Sequence, residues 1–333
     1  MRDDSLSAKV VRKGLGAPRR FPGYLDLARW FCAREVPIVM YHGVVERPLP
    51  VFHWCHLEVS EFERQIAFLS EKYRVLPLAE IVDRMAKFRP LPDRTAAITF
   101  DDGFRSVYRT ALPILEKYDV PFTVFVVTGL IESRQPPWPD RLYNALVHTR
   151  VVEVESDGEV WNLSTSKERA AAYQSLGARL KPLPFEKKEE RLIALSRALD
   201  SPPEVEPNSP LATLGWDEIL VLSHNRLASV GSHTHTHQIL SQCSEDRQRE
   251  ELGVSRDMLR DRLGDVHLFA YPNGSRADFN DATKRLLVEL GYTCGVATIP
   301  GINRHCADRY ELKRVNVGAD TTLSHFQLRM LGW

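Results

Sequence analysis

The sequence predicts an α/β fold in which parallel strands alternate with helices. Three observations predict it. Seven short apolar or β-branched runs recur along the chain, stretches of helical period lie between most of them, and four polar clusters fall where runs end. Strands alternating with helices pair in parallel through right-handed crossovers. Seven such units can close into a barrel or stay an open wound sheet. Periodicity does not choose between the two.

The runs are 37–41 (PIVMY), 96–100 (AAITF), 122–127 (FTVFVV), 227–231 (LASVG), 267–271 (HLFAY), 293–298 (TCGVAT) and 312–317 (LKRVNV). Phe62, Ile66, Leu69 and Tyr73 mark one helix between them. Val107, Leu112, Leu115 and Tyr118 mark a second, less regular one. Leu252, Val254, Met258 and Leu259 mark a third, and Leu286, Leu287 and Leu290 a fourth. Segment 133–212 breaks the rhythm. It opens on Pro136, Pro137 and Pro139, offers a hairpin turning at Asp157-Gly158, and continues in two charged helical stretches near 167–180 and 185–199. It closes on Pro202, Pro203, Pro207 and Pro210. The segment reads as an insertion into the main fold, with no polar cluster of ligand spacing of its own.

Composition sets the outer bounds. The chain has 333 residues, 43% apolar and 26% charged, enough for a sizeable core and too apolar for disorder. Lys+Arg and Asp+Glu balance at 44 each, which argues against a nucleic-acid binder that works by broad phosphate neutralisation. No run of about 18 apolar residues occurs, so no membrane-spanning helix is expected. The opening stretch has no apolar run like that of a secretory signal, so a cytoplasmic location is expected. Its Arg12, Lys13, Arg19 and Arg20 read as a solvated tail, with peripheral contact to an anionic membrane surface as the lesser alternative. Cys32, Cys55, Cys243, Cys294 and Cys306 are scattered, contain no Cys-x-x-Cys pair, and are expected as reduced thiols.

The first polar cluster is Thr99-Phe100-Asp101-Asp102-Gly103, where an apolar strand runs into two adjacent carboxylates. Such neighbours repel, so at least one needs a cation or a raised pKa. A plain helix cap is an even alternative. The second is His233-Thr234-His235-Thr236-His237. On a helical turn the four-residue spacing puts His233 and His237 on one face, which favours metal ligation, and His235 points elsewhere. Two imidazoles and one carboxylate leave coordination positions open, as in a catalytic site. One aspartate would then bind the metal while the other takes a proton from bound water. The third cluster, Tyr271-Pro272-Asn273-Gly274, is a turn that could aim backbone N–H groups at a substrate oxyanion, although alone it reads as an ordinary turn. The fourth is Met40-Tyr41-His42-Gly43. His53, Cys55 and His56 lie close together in an apparent loop, but without a partner pair in the sequence they carry little weight as a second site.

Taken in order, Thr-Phe-Asp-Asp-Gly at 99–103 and His233-Thr234-x-x-His237 resemble the two motifs of the polysaccharide deacetylase family. The resemblance covers roughly 37–132 and 213–317. The Met-Tyr-His-Gly opening and the Phe-Ala-Tyr-Pro-x-Gly turn look like its poly-N-acetylglucosamine deacetylase branch. The resemblance implies a distorted (β/α)7 barrel over 37–333 after a basic N-terminal segment, 1–36, with 133–212 as a helical and hairpin insertion. It implies a divalent metal on Asp102, His233 and His237, zinc first and iron, cobalt, nickel or manganese as alternatives. Asp101 becomes the general base, His42 the general acid, and Tyr271, Pro272, Asn273 and Gly274 the substrate and oxyanion turn. Many members carry an Arg at the position of Ala270 that orients the base. Arg314 is the candidate replacement on the substrate side of the site. Leu323-Ser324-His325 sits in an expected terminal helix and is not trusted as the family's last motif. Trp138, Asp140, Arg141 and Tyr143 divide evenly between an extended sugar site and plain packing.

The implied activity is removal of an N-acetyl or N-formyl group from an amino sugar, a glycan or a cytoplasmic polysaccharide precursor. Two other classes stand beside it. A decayed, non-catalytic glycan binder would not need the free Asp101. A non-haem iron oxygenase also uses two His and a carboxylate, but usually as His-x-Asp with a distant His on an all-β scaffold.

Overall fold

Seven parallel strands close a ring. They are β1 (Ile38–Tyr41), β2 (Thr95–Phe100), β3 (Phe122–Val126), β4 (Ala228–Ser232), β5 (Leu268–Ala270), β6 (Cys294–Pro300) and β7 (Leu312–Asn316). Each pairs with the next in sequence, and β7 pairs with β1 to complete a distorted (β/α)7 barrel. The structure is a computed structural model and describes residues 35–332 except 157, 202, 203 and 305. The tail residues Arg12, Lys13, Arg19 and Arg20, and Cys32, lie outside the described residues. Every run read as a strand lies on a barrel strand, with ends shifted by one or two residues. Closure, which periodicity left open, follows from β1 lying between β7 and β2.

The barrel is held by burial on both strand faces. All of β1, β2 and β3 is buried, as expected for parallel strands lined inside and covered by helices outside. Helix α1 (Val59–Lys72) shows how a cover is made: Phe62, Ile66 and Leu69 fall on one face and pack into the core with Tyr41 and Phe100. Each such side chain contributes about 1.5–3 kcal/mol. Gln65 on the same face accepts a hydrogen bond from the Tyr41 hydroxyl at 2.9 Å and donates to the Thr321 carbonyl at 2.8 Å, so its polar end is satisfied inside the core. Glu35–Val36, placed by the sequence reading in the N-terminal segment, already pair antiparallel with Asn303–Arg304. Among the described residues, no helix is long and apolar enough to cross a membrane.

The insertion has its own core. Helix α2 (Trp138–His148), a hairpin of Glu153–Ser156 with Glu159–Asn162, and helices α3 (Ser166–Leu180) and α4 (Phe185–Ala198) enclose Leu142, Leu146, Val154, Leu163, Leu176, Leu192 and Leu199. The hairpin and the last two helices match expectation. Helix α2 does not: the prolines read as a break instead start a helix, because Pro137 sits at its N-cap and Pro139 in its first turn, where a missing N–H costs nothing. Helix α3 begins on a reciprocal cap between Thr165 and Glu168. The opposite face of α2 turns to the barrel, where the Tyr143 hydroxyl donates to the Val51 carbonyl at 2.7 Å.

At Gly231 the wall leaves no room for a side chain, since an added Cβ would lie 2.5 Å from two Phe125 ring carbons and 3.0 Å from the Leu268 carbonyl oxygen. Gly231→Ala is expected to lower stability by about 1–3 kcal/mol through overpacking. Urea unfolding should show a lower midpoint with an unchanged slope.

Candidate active site

The chemistry-bearing residues leave the barrel at one rim. Strand register places them there: Tyr41 pairs with Phe100, and Val126 with Ser232, so His42, Asp101 and His233 all follow at the carboxyl ends. The Asp101 amide donates to the Tyr41 carbonyl at 3.0 Å, and the His233 amide to the Val126 carbonyl at 2.9 Å. This is the end of a parallel barrel where loops are free to build a site.

Asp102 and Gly103 both take left-handed backbone, with φ of 67° and 65°. The chain therefore turns sharply, and the two carboxylates are sorted to different partners. The helix-cap alternative does not hold, because the following helical segment begins at Val107 with Ser106 as its cap. Asp101 meets Arg314 of β7 in a two-pronged pair, Nη1 to Oδ1 at 2.8 Å and Nη2 to Oδ2 at 2.6 Å. Arg314 is fully buried and also donates to the Ala297 carbonyl and the Thr99 hydroxyl. Burial alone would raise the Asp101 pKa, but the Arg314 guanidinium, joined by His233 and His42, outweighs it and lowers the pKa, so the carboxylate is ionised. The sequence reading makes Arg314 the candidate replacement for the arginine that orients the base and groups it with the substrate residues. It positions the Asp101 carboxylate from within the wall, because its long side chain spans from β7 to the end of β2.

Asp102 faces the histidines. Its Oδ1 lies 3.4 Å from His233 Nε2 and 3.2 Å from His237 Nε2, and its Oδ2 lies 4.0 Å from His42 Nε2. His233 Nδ1 is 2.8 Å from the Ala270 carbonyl, a contact that places the ring proton there and turns Nε2 inward. Asp102 is held well below the usual carboxylate range because the two imidazoles overcome burial, and His233 is raised because Asp102 overcomes burial. Asp102 Oδ1 is buried without a hydrogen-bond partner. A divalent cation fits this nitrogen and oxygen donor set, and Asp102, His233 and His237 would hold it.

The histidine segment is not a helical turn. Thr234 and His237 adopt left-handed backbone, φ 65° and 60°, and this geometry makes the two imidazoles converge. Glu251, on helix α6 (Glu245–Leu263) after α5 (Trp216–His224), holds the loop in place. Its buried carboxylate accepts from the His235 and Thr236 amides at 3.0 and 2.7 Å, from the Thr236 hydroxyl at 2.6 Å and from Gln238 Nε2 at 3.2 Å. The sequence reading missed Glu251. A carboxylate among the core-facing positions of the Leu252–Leu259 helix was the available signal. His235 turns away and pairs with the Thr128 hydroxyl.

The remaining residues separate. His42 is buried, its ring centre lies 4.9 Å from that of the half-exposed Trp54 in an edge-on contact, and burial lowers its pKa against the opposing pull of Asp102 and Asp101. Tyr271 does not face a substrate. It is fully buried, stacks on Phe279 and donates to the Tyr310 carbonyl, because the apolar pocket behind the turn accommodates a large ring. Within the turn the Tyr271 amide bonds to Val296 and the Gly274 amide to Pro272. Pro272 has no N–H, so the Asn273 amide is the turn's remaining donor, and the Asn273 side-chain amide nitrogen is buried without a partner. His325 is exposed on the terminal helix Leu323–Arg329 and takes no part in the cluster. Trp138 and Arg141 line a cavity of about 230 Å³ together with His237 and the buried Lys188. Asp140 and Tyr143 are buried on the other side of α2.

Two outcomes follow from this geometry. Glu251→Gln should weaken metal binding by about 10–100-fold in a chelator-competition titration, since it removes acceptors that fix the ligand loop. Arg314→Met should destabilise by about 3–5 kcal/mol because it strands a buried charge, and the double variant with Asp101→Asn should recover part of that loss in denaturant unfolding.

The family profile described as polysaccharide deacetylase matches residues 88–178 and 193–295, more than half of the chain. A poly-beta-1,6-N-acetyl-D-glucosamine N-deacetylase of Staphylococcus aureus is 41% identical over 71 residues, 21% of this chain and 24% of that protein. The match thus spans about a quarter of that relative's length. Among solved structures, Streptococcus pyogenes deacetylase PplD in complex with acetate has a TM-score of 0.59 at 21% identity, with 89% of this chain and 98% of that one covered. IcaB from Ammonifex degensii has a TM-score of 0.58 at 20% identity, with 90% and 98% covered. These two likenesses concern the fold. With the two-part profile match laid over this barrel and its two motifs, the chain belongs to the polysaccharide deacetylase family.

Proposed function

We propose that the protein is a metal-dependent amide hydrolase that removes an N-acyl group, acetyl before formyl, from an amino sugar in a glycan or its precursor. The observation that carries this reading is the division of the two aspartates: Asp102 lies against two imidazoles, and Asp101 stays outside that cluster, ionised by Arg314. A binding module would need only the first. The family membership and the staphylococcal relative's name support an acetylated amino-sugar substrate. The α/β scaffold gives no support to an oxygenase.

A cation on Asp102, His233 and His237, zinc first among the nitrogen- and oxygen-preferring ions, supplies Lewis acidity that acidifies a water and polarises the acyl oxygen. The chain's own residues do the rest. Asp101 takes the proton of the attacking water, and Arg314 keeps it ionised for that purpose. The Asn273 amide donates to the acyl oxygen as negative charge develops on it. His42 delivers a proton to the departing nitrogen, which would otherwise leave as a very poor amide anion. Burial keeps its ring neutral at rest, so it takes up a proton from solvent before the C–N bond breaks and passes that proton to the nitrogen, while Asp101 returns the water's proton to solvent, which leaves both groups as they began. The cavity beside His237, with Trp138, Arg141 and Lys188 on its wall, holds adjoining sugar units.

Asp102→Asn is expected to lose the metal. Asp101→Asn is expected to keep it and lose about 10²–10⁴ in turnover. Metal content paired with acetate and formate release from N-acylated glucosamine oligomers checks both, and normal hydrolysis by both variants would falsify the assignment.

A further inference from the structure

A second set of ligand-type side chains is buried where the insertion meets the barrel. His53 comes from the loop after β1, His56 opens the short strand His56–Glu58 that pairs with Gly43–Val45, and Asp140 lies in the first turn of α2. All three are at most 3% exposed, and one donor atom from each lies within 4.8 Å of the others. His53 Nε2 is 3.2 Å from Asp140 Oδ1, and His56 Nε2 is 3.7 Å from the same oxygen. Both ring nitrogens of His56 and Oδ1 of Asp140 have no well-formed hydrogen bond. Aromatic rings enclose the cluster: Tyr143 lies 4.5 Å from the His53 ring, and Phe104 lies 4.8 Å from the His56 ring. An ionised carboxylate in such a pocket needs a compensating positive charge. The neighbouring Arg141 does not supply it, since its guanidinium is bound by both oxygens of Glu189.

We infer that His53, His56 and Asp140 form a second divalent-cation site, separate from the Asp102 centre, whose ion clamps the insertion to the barrel. Two imidazoles and one carboxylate select a first-row transition ion such as zinc over calcium or magnesium. The Tyr173 hydroxyl of α3, 3.3 Å from His53 Nε2, adds an oxygen donor to the cluster. Loading has one local cost. The Cys55 amide donates to His53 Nδ1 at 3.3 Å, so the ring proton must move to Nδ1 and break this long contact. The site is enclosed by buried side chains, so its ion is structural.

The clamp also bears on the first centre. The His56 ring packs against Gly43, where an added Cβ would sit 2.1 Å from Nδ1. Gly43 directly follows His42, and Trp54, between the two proposed ligands, touches the His42 ring. An ion on His53 and His56 fixes the loop that shapes the surroundings of the proton carrier.

The test uses His237→Ala, which disables the first centre and leaves this cluster unchanged. The purified protein is stripped with chelator, reloaded with zinc or cobalt(II), dialysed, and assayed for bound metal and thermal midpoint. Two equivalents per chain in the unaltered protein are expected, one in His237→Ala, and none when His56→Gln is added. Zinc should raise the His237→Ala midpoint, a readout that needs no folded His56 variant. No bound equivalent in His237→Ala, with no zinc-dependent shift, means the cluster shares only a proton and overturns the site. An equivalent that survives His56→Gln lies elsewhere and overturns it too. Failure of the unaltered, metal-loaded protein to release an acyl group, while His237→Ala still binds one ion, would count against the hydrolase reading alone.

Discussion

Two buried carboxylates, adjacent in the chain, set the constraint on which the rest of this structure depends. Neither can stay ionised in an enclosed barrel mouth without a dedicated positive partner, and they cannot share one without repelling each other. The fold resolves this by turning the backbone between them. Left-handed geometry at Asp102 swings its carboxylate to the histidines, while Asp101 stays in line with β2 and meets Arg314. One aspartate is thereby suited to hold a cation and the other to accept a proton. The division of labour comes from where the countercharges stand, since the two side chains are chemically identical.

Holding those countercharges in place requires strain and its compensation. The histidine loop carries positive φ at two non-glycine residues, a geometry that costs on the order of 1–3 kcal/mol at each. It persists because Glu251 gathers two backbone amides, a hydroxyl and a side-chain amide of the same loop. Glu251 is in turn paired with Arg247 on its own helix. The loop is therefore shaped by a buried anion behind it before any ligand approaches in front. On the opposite side of the mouth, the Arg314 bonds to Ala297 and Thr99 fix the guanidinium before it meets Asp101. Both arrangements are preorganised, so little reorganisation is left for the moment of reaction.

The insertion enters through α2, which has two working faces. Leu142 and Leu146 look into the insertion's own core, while Tyr143 and Asp140 look toward the loop that follows His42. A segment with a separate hydrophobic core thus bears on the surroundings of His42 through Trp54, His53 and His56. Its third contribution is the cavity wall beside His237. The insertion shapes both flanks of the cleft without supplying any of the residues assigned to the reaction.

Residue order alone was enough for seven strands, most of the helices, the hairpin and the two motifs, because these rest on short-range periodicity and on side chains that follow strand ends. It paired His233 with His237 correctly but for the wrong local reason, since the convergence comes from backbone φ and Glu251, not from a helical turn. It placed Arg314 on the right strand without its direction, and it put Tyr271 in the cleft when the ring belongs to the core. Helix α2 was hidden because proline breaks a helix interior yet starts a helix well. Barrel closure, the Arg314–Asp101 pair, the Glu251 anchor and the meeting of Asp140 with His53 and His56 had to wait for folded coordinates. Each joins residues 80 or more apart in the chain, or depends on a side chain's direction, and neither is encoded in any local pattern.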